Sequence, residues 1–444
     1  MNYKSNGEVI FIMENKIVIQ NFGPVKEAQI NLNKNFQIFI GAQASGKSTI
    51  CKVVYFVQKI RDYTLDYLMD AAQFTQNHKN EYFNNYMKYL TKQFMGCFGK
   101  TKHMQKFNVS YMFAGKHINI FLNRDGYVRF SLDAKLKEEL LGLINESAEM
   151  FLNNFNTKGL LDNITAVGVM KRHLNERLFL VFENNDEIIY IPAGRSLLAT
   201  MSEQLQDVST DEMDLTMQEF IKLIKITKNK FGTKIPEMIT DYVKTIKGQI
   251  NNAAVDQAYE FIKKILKADY ISENDGEKIY FDEYHWVKLM YGSSGQQEVL
   301  WILMLAFATI LEKNKSFIII EEPEAHLFPI AQKDVMSLIS LMINSTNSKV
   351  VITTHSPYIL TSTNILLYSQ KVENQHTKLN KIIIPKNLRV SYENFAAYKV
   401  DNSEKVLESL LDEESHMINT NYIDEVSSIT NSELDELIAM EIDE

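Results

Sequence analysis

Gly41-Ala42-Gln43-Ala44-Ser45-Gly46-Lys47-Ser48 is the stretch on which the reading of this chain turns. It has the form G-x-x-x-x-G-K-[ST], and its flanks are those the pattern requires. Upstream, residues 16–25, 28–32 and 36–40 are short apolar-rich runs parted by turn residues, which predicts three strands leading into Gly41. Downstream, Ser48-Thr49-Ile50-Cys51-Lys52-Val53-Val54-Tyr55 opens as a helix. Strand, loop and helix in that order let backbone N–H groups curl round a β-phosphate, set the Lys47 cation against the β/γ oxygens and bring the Ser48 hydroxyl to Mg²⁺. The sequence therefore predicts a nucleotide held by Gly41, Ala42, Gln43, Ala44, Ser45, Gly46, Lys47, Ser48 and Thr49.

A phosphate loop does not separate a kinase from a GTPase or an ATPase, so the class has to come from elsewhere. In the last third, Ser316-Phe317-Ile318-Ile319-Ile320-Glu321-Glu322-Pro323 reads as a buried strand ending in two carboxylates, the groups needed to hold Mg²⁺ and polarise an attacking water. Lys349-Val350-Val351-Ile352-Thr353-Thr354-His355 repeats the design with a strand that finishes on a histidine. Its place after the acidic pair makes His355 a γ-phosphate sensor. Tyr291-Gly292-Ser293-Ser294-Gly295-Gln296-Gln297-Glu298 precedes an apolar helix over 299–311, and small residues before a helix N-terminus form a second anion site. Two anion sites and one acidic pair make chemical sense if two copies face each other. The loop of Ser293, Ser294, Gly295 and Gln296 of one subunit then closes on the ATP held by Lys47 of the other.

Asn21-Phe22-Gly23-Pro24, the 41–48 loop, Ser293 to Gln297, Glu321-Glu322-Pro323-Glu324-Ala325-His326-Leu327-Phe328-Pro329 and Thr353-Thr354-His355-Ser356-Pro357 together resemble the ABC/SMC class of ATPases. More narrowly they resemble the OLD (overcoming lysogenization defect) family, over residues 1–55 and roughly 285–370. The resemblance implies an α/β fold, an ABC-type P-loop ATPase head with a mixed β-sheet flanked by helices, an antiparallel β subdomain and helical insertions. It implies Glu321 at the Mg²⁺ position beside Ser48, Glu322 as catalytic carboxylate, 323–327 as the D-loop and His355 as switch histidine. The implied chemistry is MgATP binding and slow hydrolysis, with ATP as the glue of a head-to-head dimer. Two departures stand out. Glu321 occupies a position where most ABC proteins have Asp, and Ser-Ser-Gly-Gln-Gln replaces Leu-Ser-Gly-Gly-Gln, leaving both Ser293 and Ser294 open as the signature serine. Tyr190-Ile191-Pro192-Ala193-Gly194-Arg195-Ser196 resembles the segment that follows the insertion in such ATPases, near a Q-loop, where Arg195 reads either as approaching the nucleotide or its partner or as a surface arginine.

On this reading the chain divides into an N-terminal part of the head (1–55), a helical and antiparallel-β insertion (56–200), a helical arm (201–270), a C-terminal part of the head (271–370) and a C-terminal strand with an acidic helical tail (371–444). Within these, 51–105 and 134–176 read as helical. Residues 107–113 and 118–132 read as antiparallel strands around the turn Asn123-Arg124-Asp125-Gly126, and 178–182 with 188–191 as further strands. Over 201–268 the pattern is helical with a break near Gly232, and Pro236 suits the first turn of the helix that follows.

The 444 residues fit two or three structural units, and 45% hydrophobic with 23% charged residues excludes disorder as a description of the bulk. The net charge of −9 is unevenly placed. Residues 401–444 hold 14 acidic residues and one lysine, while residues 1–400 are at +4, so the overall sign does not exclude a basic groove on the body. Leu434, Leu437, Ile438 and Ile442 keep helical spacing in the tail, which predicts an amphipathic terminal helix. Cys51 and Cys97, the two cysteines, cannot form a disulfide framework and read as packing residues of a protein in a reducing cytosol. There is no secretory pattern at the start and no run near the roughly 18 apolar residues of a membrane span, so a cytoplasmic protein without membrane contact is expected.

Many OLD proteins carry a C-terminal TOPRIM nuclease domain. The roughly 75 residues after Tyr368 are too few for one, and no H-N-H cluster is present, so an effector nuclease of TOPRIM or HNH type would be a separate polypeptide. The set of motifs resembles the stand-alone ATPase subunits of the PARIS and Septu anti-phage defence systems. That resemblance implies homo-oligomeric assemblies of dimers that regulate the nuclease in response to a nucleic acid or phage-protein trigger. The alternative is a RecF-like or SMC-like DNA-repair ATPase that clamps DNA, and a third reading is a scaffold that binds nucleotide without turnover.

Overall fold

Four of the five residues of Phe36–Ile40 are apolar, and the computed structural model buries all five. A strand buried on both faces belongs inside a helix-covered parallel sheet. The structure describes residues 4–5, 8–9, 14–75, 79–104, 106–154, 160–200, 213–245, 251–375, 383–401, 403, 406–420 and 432.

In chain order, β1 (Lys4–Ser5) and β2 (Glu8–Val9) form a short hairpin, β3 (Lys16–Phe22) and β4 (Val25–Asn31) a longer one, and β5 (Phe36–Ile40) leads into α1 (Lys47–Met69). Then come α2 (Ala72–Thr75), α3 (Tyr82–Phe98), the strands β6 (Asn108–Phe113), β7 (Lys116–Leu122) and β8 (Val128–Leu132), and the helices α4 (Ala134–Asn154) and α5 (Leu160–Phe182). β9 (Glu187–Ile191) is followed by α6 (Ser196–Thr200), α7 (Leu215–Lys228), α8 (Ile235–Thr245) and α9 (Asn252–Leu266). A meander of β10 (Asp269–Glu273), β11 (Gly276–Tyr280) and β12 (Trp286–Lys288) precedes α10 (Ser294–Glu312). The chain then alternates β13 (Ser316–Glu321), α11 (Pro329–Thr346), β14 (Lys349–Thr354), α12 (Pro357–Gln375) and β15 (Phe395–Val400), before β16 (Leu407–Ser409), β17 (Leu411–Asp412) and β18 (Met417–Ile418).

The central sheet has the order β16-β15-β5-β14-β13-β9, parallel except for the edge strand β16. Side chains alternate between its faces, as the strand period demands. Phe36, Ile38, Ile189, Ile191, Ile318, Ile320, Val350 and Ile352 face one core with α7, α9, α10 and α11. Phe39, Ile188, Tyr190, Phe317, Ile319 and Val351 face a second core with α1, α3, α4, α5 and the antiparallel sheet β4-β3-β6-β7-β8. This is the α/β class expected, a mixed sheet flanked by helices with an antiparallel β subdomain. Each fully buried Ile or Phe adds about 1.5–3 kcal/mol relative to exposure, so both faces of the sheet are fixed by the same residues that form it.

Three expectations need correction. Leu178–Phe182 is the last turn of α5 and not a strand: Leu178, Val181 and Phe182 are buried while Phe179 and Leu180 are exposed, a helical and not an alternating pattern. The helices of the expected arm do not stand apart. Phe220, Ile224, Ile235, Val255, Ala258 and Ile262 join the core under the central sheet, because their apolar faces find their cover there. Within the acidic stretch, residues 406–419 form short strands rather than helix, β16 extending the central sheet. Leu434, Leu437, Ile438 and Ile442 lie outside the described residues. Helix α10 is long and apolar enough to cross a membrane, yet 83% of its apolar window is buried in the head, which makes it a core helix.

Candidate nucleotide site

Parallel strands bring their C-terminal ends to one edge, and ligands of open α/β sheets bind there. The register lines up the candidate motifs: Ile40 pairs with Thr354, Thr353 with Glu321, and Ile320 with Ile191. The loops that begin at Gly41, Glu322, His355 and Pro192 therefore leave the sheet side by side.

In the phosphate loop, Gly46 caps α1 with φ +101°, a left-handed conformation that glycine adopts without strain. Ala42, Gln43, Ala44 and Ser48 are exposed, Thr49 is half-buried, and Gly41, Ser45 and Lys47 are buried. Lys47 Nζ donates to the carbonyls of Gly41 (2.9 Å) and Ala42 (2.8 Å), so its ammonium sits inside the curl of the loop. Burial lowers its pKa against the pull of Glu322, Glu324 and Glu321 nearby. A cation held this way can exchange loop carbonyls for phosphate oxygens.

Glu321 is buried at the end of β13. One carboxylate oxygen, Oε2, accepts from the Ala193 N–H at 3.2 Å, and the buried Tyr190 hydroxyl lies beside the same carboxylate. A carboxylate buried inside a protein is costly without compensating charge, and a hard divalent cation is a partner that suits it. With the exposed Ser48 hydroxyl at the start of α1, the oxygen donors present fit Mg²⁺.

Glu322 is half-buried and has φ +45°, an unfavourable conformation for a residue with a side chain. It is held there by its N–H, which donates to the Thr353 carbonyl at 3.0 Å. Its Oε1 lies 3.4 Å from His355 Nε2, so the acidic pair and the histidine, separate in sequence, meet. Glu324 completes the group. Its Oε1 accepts from Thr354 Oγ1 and from the His355 N–H, both at 2.7 Å, and burial raises its pKa.

The loop before α10 is built differently. Ser293 is the N-cap: its Oγ accepts from the Gln296 N–H at 3.3 Å, and its own N–H donates to Gln296 Oε1 at 3.1 Å, a capping box. Ser294 is the first helical residue and is exposed. Gln296 Nε2 donates to the Leu266 carbonyl (2.9 Å), and Gln297 Nε2 to the carbonyls of Met290 (2.9 Å) and Gly292 (3.2 Å). The Ser293 hydroxyl also donates to Gln296 Oε1 at 3.2 Å, so both glutamines brace their own loop and the exposed Ser294 hydroxyl and the helix N-terminus are left as the anion-binding features. Among the described residues no hydrogen bond or ion pair joins Ser293, Ser294, Gly295 or Gln296 to residues 41–49.

Residues 13–360, a span that includes every motif above, match the sequence model of the AAA ATPase domain. The chain belongs to the AAA ATPase domain family. Among solved structures it is similar to that of the SmcHead bound to the C-winged helix domain of ScpA, with 14% identity, covering 91% of this chain and 100% of that one at a TM-score of 0.39. It is also similar to the SMC head domain from Thermotoga maritima, with 11% identity, 79% and 92% coverage and a TM-score of 0.33. Comparison with curated proteins gives no match.

Two features of this AAA ATPase domain were not legible beforehand. Arg195 does not lie on the surface: it is fully buried, bonded to the backbone around Glu321 and Glu322 and paired with Glu298. The available signal was Glu298 itself, a carboxylate at the head of an otherwise apolar helix, because a charge in such a run needs a buried partner. In the sequence Glu324 is only one residue of the 323–327 loop; its hold on Thr354 and His355 comes from a contact across 30 residues of chain. Cys51 is buried with its thiol pKa pushed well up by burial, consistent with a packing residue.

Proposed function

We propose that this ATPase is a nucleotide-operated switch: ATP joins two heads, and the dimer regulates a separately encoded effector nuclease, of TOPRIM or HNH type, in a cytoplasmic bacterial anti-phage defence complex. The observation that carries the switch is the split between two half-sites. Lys47, Glu321, Glu322 and His355 gather at one edge of the sheet, while Ser293 caps and Ser294 opens α10, and among the described residues no hydrogen bond or ion pair joins either serine to that cluster. A phosphate group bridging the cluster of one copy and the cap of another completes both. The defence role is supported by the resemblance of the motif set to OLD-like ATPases.

In the mechanism, Lys47 and the backbone N–H groups of residues 41–49 bind the β- and γ-phosphates. Ser48 and Glu321 would hold Mg²⁺, which supplies charge neutralisation on the phosphate oxygens. Glu322 accepts the proton of the attacking water, and His355, 3.4 Å from its carboxylate, orients it and faces the γ-phosphate. Ser293 or Ser294 of the second copy donates to the same phosphate.

The test uses the purified protein and the product of the adjacent gene. With ATP, a Glu322→Gln variant should bind nucleotide, lose turnover by about 10²–10⁴-fold and sediment as a dimer, whereas Lys47→Ala should stay unliganded. Wild-type turnover in Glu322→Gln removes that residue from the chemistry. Failure of any nuclease to co-purify, with or without ATP, counts against the defence role. ATP-strengthened, salt-sensitive duplex binding by the lone protein would assign it to the DNA-clamping class instead.

A further inference from the structure

Arg195 is the most heavily committed charged side chain near the site. Its Nε donates to the Glu298 carbonyl (2.8 Å), Nη1 to the carbonyls of Pro192 and Glu321 (both 2.6 Å), and Nη2 to the Glu322 carbonyl (2.9 Å). Glu298 answers it. Oε2 of that carboxylate accepts from the Arg195 N–H and Oε1 from the Ser196 N–H, each at 3.1 Å, with Oε2 also 3.4 Å from Arg195 Nε. Both residues are almost completely buried. Ala193, in the same turn, donates to the Glu321 carboxylate.

A buried ion pair is weak evidence of stabilisation, since desolvation offsets the attraction. What this pair does is geometric. Glu298 lies in the second turn of α10, the helix whose cap is the Ser293 loop, and Arg195 ties that turn to the backbone of both candidate carboxylates. Glu322 needs external support in its φ +45° conformation, and its carbonyl is one of the atoms Arg195 holds. A shift of the N-terminal part of α10 carries the Glu298 backbone and carboxylate together, and Arg195 conveys it to Glu322.

We infer that Arg195 and Glu298 are positioning residues that couple the cap of α10 to the catalytic carboxylate of the same chain. In the dimer, which this inference takes from the proposed function, the Ser293 loop of one protomer touches the nucleotide of its partner, while that protomer's Glu322 serves its own nucleotide. The Arg195–Glu298 pair is then the route by which the two ATP sites act cooperatively.

Glu298→Gln, which keeps the shape and one acceptor, and Arg195→Lys, which keeps the charge and loses the planar fork, are compared with wild type. Each is measured for thermal unfolding, nucleotide affinity, ATP-dependent dimerisation, kcat, KM and Hill coefficient. The expected result for Glu298→Gln is unchanged affinity and dimerisation, kcat lower by about 10- to 100-fold, as for displaced catalytic groups, and a Hill coefficient falling from above 1 towards 1. A folded Glu298→Gln protein that dimerises like wild type and keeps both kcat and Hill coefficient overturns the inference and leaves the dimer standing. Wild-type protein that stays monomeric with ATP overturns the dimer, and the cross-site coupling with it. Should Arg195→Lys fail to fold, Glu298→Gln still decides.

Discussion

Gly41 shows how a residue in a recognisable motif answers to two demands at once. The pattern assigns it to a phosphate loop, but a Cβ built on it would stand 2.0 Å from the Val400 carbonyl of β15. The requirement for glycine at 41 is therefore also a packing requirement set by a strand some 360 residues later in the sequence. Gly41→Ala should cost about 1–3 kcal/mol by overpacking, read as a lower urea midpoint without any nucleotide present. A variant within 0.5 kcal/mol of wild type would mean β15 yields freely. Arg195 makes the same point for charge: nothing in its local sequence says that three carbonyls and a carboxylate from distant elements converge on it.

Helix α5 illustrates what local sequence leaves open at the scale of an element. Leu178-Phe179-Leu180-Val181-Phe182 is a five-residue apolar run, and such a run suits a strand or a buried helix end equally well until its neighbours are known. Residues 178 and 180 would share a face in a strand and do not in a helix. Leu178→Ala is accordingly expected to destabilise by about 2–5 kcal/mol. Leu180→Ala, at a position 66% exposed, should change stability by less than about 0.5 kcal/mol. Equal effects at the two sites would restore the strand. Helix α7 carries a pH-dependent cap. Asp214 accepts from the Thr216 and Met217 N–H groups and from Lys52 of α1. Partial burial raises its pKa, but the hydrogen bonds from Thr216, Lys52 and Met217 outweigh that and lower it below 3.8. A carboxyl with a depressed folded-state pKa stabilises above its unfolded value and loses that contribution as pH falls through the folded value. Asp214→Ala should therefore cost about 1 kcal/mol near neutrality. The gap to wild type should narrow in melts as the pH is taken below the ordinary aspartate range and through the depressed folded-state value; a gap that persists in strong acid would remove the carboxylate from the account.

At the scale of the molecule, the central sheet is enclosed by two cores, one on each face, and both cysteines lie in the core beside α1. Burial pushes the Cys97 thiol up to about 12 and Cys51 well above the usual range, so neither is a thiolate at pH 8. A disulfide-exchange reagent should label neither thiol in the native protein and both in denaturant, at a rate that follows unfolding. Fast labelling of one native thiol would mean that this core opens locally. The sequence alone determined the order strand–loop–helix around Lys47, the two later strands with their terminal Glu321, Glu322 and His355, and the small-residue cap before α10. Each rests on short-range physics: a glycine at a forced backbone angle, alternation in a strand, orphan N–H groups at a helix start. The tertiary structure decided which of those pieces meet. Parallel register sets Glu321 beside Thr353 and lets His355 approach Glu322, and the expected arm folds back under the sheet because its apolar face has no other cover. It also closes Arg195 and Glu298 into one buried pair. Such contacts depend on chain segments roughly 30 to 130 residues apart, and no local pattern in the sequence specifies them.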